Sequence, residues 1–230
     1  MIDGPVVAVR GEVVREVPPE LAVFSVTVLA RDKERRAVLD RLTERAAAVR
    51  DLVDSYGDAV ERRETGSLYV RPELKRAGER VSAYHGQVTV TVTVTDFTVL
   101  AELMLRLADQ DQVNVSGPWW QLRPDSPVHR EARRAAIAAA VQRAREYADA
   151  IGARVTGLLQ VTDVGMADQP MTLLGTARME MGGGPPQLDL DPQQQTVRAG
   201  VEARFTISQP TILADGSHPG PTSADPGLSH

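Results

Sequence analysis

The stretch "HGQVTVTVTVTDF", His85–Phe97, decides the fold. Between Val88 and Thr95 four valines alternate with four threonines, and successive side chains of a strand point to opposite faces. Such a strand offers one apolar face to a core and one polar face elsewhere, the pattern of an antiparallel sheet covered on one side. The sequence therefore predicts a central or near-central strand over residues 88–95, with Val inward and Thr outward.

Working upstream, "AVERRETGSLYVRPEL" reads as the partner of "RVSAYHGQVTVTVTVT", the two joined near "KRAGE" with Gly78 at the turn. At about 3.3 Å per residue, strands of this length span roughly 50 Å, which predicts a long, protruding hairpin. Ahead of it, Asp32 can cap a helix running to about Tyr56, because Val38, Leu42, Ala46, Val49, Val53 and Tyr56 recur at spacings of three and four. Gly57 supplies the stop. Earlier still, "VVAVRGEVV" and "LAVFSVTVLA" read as two strands forming a hairpin around "VPPE", where Pro18 and Pro19 withhold ladder hydrogen bonds.

Downstream, Asp96 can cap a shorter helix with Val99, Leu100, Leu103, Met104 and Leu107 on its buried side. "QVNVSGPWWQL" returns as a strand broken by Gly117-Pro118. Ser126-Pro127 opens the helix "VHREARRAAIAAAVQRAREYADAIGA", whose inner face of Ala132, Ala136, Ala140 and Ala144, extended by Tyr147 and Ile151, lets it lie close on a sheet. A strand around "RVTGLLQVTDV" follows. Residues 167–195 lose all periodicity in "MGGGPPQLDLDPQQQ" and read as a long mobile loop. The last strand, "TVRAGVEARFTIS", puts Val197, Ala199, Val201, Ala203, Phe205 and Ile207 on one face, and residues 210–230 form a Pro/Gly/Ser tail predicted to be disordered.

The order is ββαββαβαββ, an α+β chain whose portion from Leu21 to Leu122 is the βαββαβ unit of ferredoxin-like folds. Helices are expected on one face of a mainly antiparallel sheet, in a single domain over residues 1–209.

Composition narrows the function. The 42% hydrophobic content suits a globular core, and the net charge of −5 argues against a sequence-independent nucleic-acid binder. Of the 26 basic residues only Lys33 and Lys75 are lysines, so the arginines read as a compositional habit. The absence of cysteine removes disulfides, thiolate nucleophiles and common structural zinc sites. No segment approaches the length of a spanning helix, and "MIDGPVVAVRGEVVREV" is not a signal peptide, so the chain as written is expected to stay in the cytoplasm.

Chemistry-bearing motifs are sparse. No G-x-G-x-x-G, Walker loop, G-x-S-x-G or H-E-x-x-H is present. His218 and His230 lie in the tail, His85 and His129 have no partner at metal-ligand spacing, and His129 reads as a surface residue of a first helical turn. Asp189 and Asp191 lack the glycine and terminal glutamate of a calcium loop. "MGGGPP" precedes no helix that would make a phosphate cradle. A stacking RNA-binding face is disfavoured, because the exposed residues are threonine, arginine and glutamate. Of the adjacent Trp119 and Trp120, only one need face a core. The expectation is a protein without catalytic residues, cofactor or metal.

The order of these pieces resembles the SIMPL-domain family, bacterial proteins that include periplasmic immunogenic and oxidative-stress-related members. The matching segments are "VRGEV" before "PPELAVFSVTV", "AYHGQVTVTVTVTDF", "VNVSGPWWQL", "ARRAAIAAAVQRAREYADAIGARVTGLLQV" and "VRAGVEARFTIS", over about residues 6–208. The resemblance implies an elongated α+β domain, in some members large homo-oligomers, and no catalytic residues to transfer. It also implies export, a periplasmic or surface location that is the alternative to the cytoplasm. The leading expectation is a non-enzymatic, self-associating protein tied to envelope or stress physiology, with Thr89, Thr91, Thr93, Trp119 and Trp120 as the contact face. The alternative is a small-molecule-binding regulatory module with residues 167–195 as a lid.

Overall fold

The computed structural model describes residues 4–74, 80–165 and 189–212. The element order is β1 (Val6–Val17), β2 (Leu21–Asp32), α1 (Arg35–Asp54), β3 (Val60–Leu74), β4 (Val81–Val94), α2 (Leu100–Ala108), β5 (Val113–Gln121), α3 (Pro127–Ala150), β6 (Val155–Asp163) and β7 (Gln195–Ile207). This is the α+β order read from the sequence. Its strands, however, fall into two sheets, β3-β4-β2-β5 and β1-β7-β6, instead of one. The described residues correspondingly form two compact units, one drawn from residues 16–74, 80–126 and 189–195, the other from residues 4–15, 127–165 and 196–212. The expected β1–β2 hairpin does not form, because β1 pairs in the sheet of β7. "VPPE" carries no Gly or Asn to supply the positive φ of a tight hairpin turn.

In the four-stranded unit, β4 lies between β3 and β2, antiparallel to both. Val88, Val90, Val92 and Val94 pair with Val28, Val26, Phe24 and Ala22 of β2, and all eight are buried. Val38, Leu42, Val49 and Val53 of α1 and Leu100, Leu103, Met104 and Leu107 of α2 complete this core. Helix α1 approaches most closely at Gly86, where a Cβ would lie 2.5 Å from Val38 Cγ1. Asp32 and Asp96 do not cap the helices. Each accepts the N–H of the residue two positions on, Glu34 at 3.0 Å and Thr98 at 2.9 Å, fixing the turn ahead of a helix whose N-cap is Glu34 or Val99.

The hairpin protrudes less than its length suggested. Strand β2 accompanies β4 from Val94 to Tyr84, so only residues 81–83 of β4 pair with β3 alone. The predicted turn at Gly78 lies outside the described residues. So do residues 167–188 of the expected mobile loop and residues 213–230 of the expected disordered tail. Leu190 is described, and it packs against the core of the four-stranded unit.

In the three-stranded unit, β7 is central, and Val197, Ala199, Val201, Ala203, Phe205 and Ile207 are all buried as the alternation predicts. The alanine stripe of α3 does lie close on a strand. A Cβ on Gly11 of β1 would fall 2.1 Å from the Ala136 carbonyl oxygen and 2.5 Å from the Ala140 nitrogen, so only glycine fits beneath the helix here. The stripe continues to Ala148, whereas Tyr147, expected inside, is 55% exposed. Four-residue spacing from Ala144 puts Ala148, not Tyr147, on the same face.

Candidate functional site

The face of β4 opposite the valines carries Thr89, Thr91 and Thr93, whose β2 partners are Thr27, Ser25 and Val23. Thr89 and Thr91 are half-buried. Thr93, expected outward and wet, is 2% exposed, a position next to the end of β4 flanked by Val23 and Arg62.

The two tryptophans separate through one irregularity. Val115 pairs with the inward Val26 and Ser116 with the outward Ser25, after which the register shifts at Gly117-Pro118. Beyond that extra residue, Trp119 pairs with Val23 and Trp120 with Ala22. Trp120 thus faces the core, edge-on to Phe97 with ring centroids 4.9 Å apart, and Trp119 remains 45% exposed. Without the bulge their faces would be exchanged.

Two polar clusters join strands of this unit. Glu73 Oε2 accepts from Arg31 Nε at 2.9 Å and lies 2.8 Å from His85 Nε2. The Arg31 guanidinium, and then His85, hold the Glu73 carboxyl below its usual range. The cluster ties β2, β3 and β4 together. The second cluster joins Glu61 to the Arg123 guanidinium through two hydrogen bonds, one of 2.9 Å. Glu20 accepts from the Arg123 backbone N–H at 2.9 Å and from the Ser126 hydroxyl at 2.8 Å. Sequence reading missed both clusters, since Glu73 and His85 meet diagonally across a hairpin whose register could not be counted through the turn.

His129, expected at the surface, is buried on the first turn of α3. Asp189 and Asp191 precede β7, and among the described residues no three His, Asp or Glu side chains gather into a metal-binding group. No described helix is long and apolar enough to cross a membrane.

The three-stranded unit holds an exposed apolar groove. A shallow groove enclosing about 30 Å³ is lined by Ile137, Ala140 and Val141 of α3, Leu158 and Val161 of β6, and Val201, Ala203 and Phe205 of β7. This lies below the roughly 300–1,000 Å³ of typical small-molecule sites. Ile137, Leu158 and Val161 stand 43%, 58% and 44% exposed. The signal in the sequence was "GLLQV", where adjacent leucines cannot both face a core.

These features define an α+β protein with antiparallel strand pairing, helices laid on its sheets, and large apolar side chains left open at the sheet edges. The chain belongs to the SIMPL family, described as a protein of unknown function (DUF541), which it matches over residues 7–205. It is also similar to the 26 kDa periplasmic immunogenic proteins of Brucella melitensis and Brucella abortus. Each is 25% identical over 176 residues, covering 73% of this chain and 70% of the relative.

Proposed function

We propose that the protein works by self-association, as a non-catalytic component on the periplasmic side of a bacterial envelope. The observation that carries this reading is the exposure of large apolar side chains at sheet edges: Leu158 and Val161 on β6 and Trp119 on β5. Edges offer unpaired backbone groups, and apolar side chains beside them favour burial against another strand. Of the five contact residues expected from the sequence, Trp119 has the exposure such a role needs. That the similar Brucella proteins are periplasmic supports the location.

The test is the native mass of the full chain, by size-exclusion chromatography with light scattering at two concentrations and two salt strengths. A discrete oligomer is expected, persisting at high salt because apolar contacts are not screened. A monomer under every condition overturns the reading.

A further inference from the structure

The four sheet edges of the two units are not equally protected. Strand β1 carries Arg10, Glu12, Arg15 and Glu16, and β3 carries Glu61, Arg62, Arg63, Glu64, Arg71, Pro72 and Glu73. Strand β5 carries Pro118. Charges and prolines of this kind discourage edge-to-edge pairing. Strand β6, "VTGLLQVTD", has no proline, and its one charge is Asp163 at the very end. Register irregularities interrupt its first half, between Val155 and Gly157 and between Leu158 and Gln160. From Gln160 to Asp163 it pairs with Arg204, Ala203, Glu202 and Val201 without a break. Uncharged, regularly paired runs also occur on β3 at Leu68–Val70 and on β5 at Val113–Ser116, but the run centred on Val161, whose outer edge no strand covers among the described residues, is the one that borders the apolar groove.

Resting on the self-association proposed above, we infer that β6 is the interface, and that its occupant is β6 of a second copy, paired antiparallel about a two-fold axis at Val161. A free edge selects an extended strand as its partner, because only a strand matches the row of unpaired N–H and C=O groups. Charge selects the same segment. About an axis at Val161 the two Asp163 carboxylates stand four residues apart, about 13 Å at 3.3 Å per residue, beyond the screening length at physiological salt. The apolar groove selects it as well. A two-fold perpendicular to the sheet keeps both α3 helices on one side, so the grooves lined by Ile137, Leu158 and Val161 merge and cover each other's apolar side chains. The interface is isologous, and residue 161 of each copy meets residue 161 of the other.

The test uses that self-encounter, in the full chain. Val161 is 44% exposed, so Val161→Lys and Val161→Glu are expected to keep the wild-type circular dichroism spectrum. Like charges meeting at the axis are expected to weaken association by about tenfold or more in each variant alone. An equimolar mixture, read by light scattering and native mass spectrometry, is expected to regain it as a mixed pair. If the wild type assembles and both variants assemble equally well, β6 is not the interface, while the self-association reading stands. Variants that dissociate but do not recover on mixing overturn the two-fold pairing. A monomeric wild type overturns both readings.

Discussion

Four carboxylates of the four-stranded unit are held below their usual range by partners that exist only in the fold. Asp32 accepts the Glu34 backbone N–H, Glu61 the Arg123 guanidinium, Glu73 the Arg31 guanidinium and then His85, and Asp96 the hydroxyl and backbone N–H of Thr98. A lowered folded-state pKa means that the unfolded chain takes up protons first as pH falls, so stability rises with pH through this range. The contribution is whole above the ordinary carboxylate values, near 4, and is lost as pH falls through the lower folded-state values. Glu61 and Asp96 are exposed and Asp32 and Glu73 half-buried, so each effect is small and screened by salt. Thermal melts should therefore show a transition temperature that declines below about pH 5. Glu61→Gln should lower that temperature at neutral pH and flatten its acid slope, the two curves converging as pH falls through the lowered folded-state value. An unchanged slope would show that the Glu61–Arg123 pair has no part in acid sensitivity.

At the scale of elements, the contact of α3 with β1 is tight, because Gly11 lies directly under the Ala136 and Ala140 backbone. Gly11→Ala introduces a methyl group with no space, and overpacking of this kind costs about 1–3 kcal/mol. For a chain of this size that corresponds to a fall of about 2–4 °C in melting temperature per kcal/mol. A Gly11→Ala protein that melts like the wild type would mean that helix and strand are not in this contact. The alanine stripe announced this packing, since only small side chains let a helix descend so far, and the alternation in residues 88–95 likewise announced which face of β4 meets the core. What sequence could not give was partnership. The alternation of β1 is the same whether it pairs with β2 or with a strand almost two hundred residues away, and nothing local chooses. The absence of a turn-forming Gly or Asn in "VPPE" was the available hint. The tryptophans were legible as a pair with opposite fates, but the residue that faces inward was set by a one-residue bulge invisible to periodicity. The open edge of β6 was hidden for a similar reason, because whether a strand is central or terminal depends on neighbours the strand does not encode.

For the whole molecule, the two units draw on the chain differently. The four-stranded unit takes β2 through β5 from one continuous run, with its own core of Ala22, Phe24, Val26, Val92, Leu103 and their neighbours. The three-stranded unit takes β1 from the start and α3, β6 and β7 from the later part. Its integrity therefore depends on closing a long loop, whereas the other unit is assembled from nearer neighbours in sequence. Removing residues 1–15 should distinguish the two. The deletion takes away most of the strand that borders β7 and the glycine on which α3 rests, and leaves every core residue of the four-stranded unit in place. Amide hydrogen exchange is expected to show lost protection in α3, β6 and β7, with the β2 and β4 amides still protected, as for cooperative units of separate stability. If protection in β2 and β4 collapses together with that of β7, the two compact units form one cooperative structure. Folding of the four-stranded unit would then depend on β1 as much as its sister unit does.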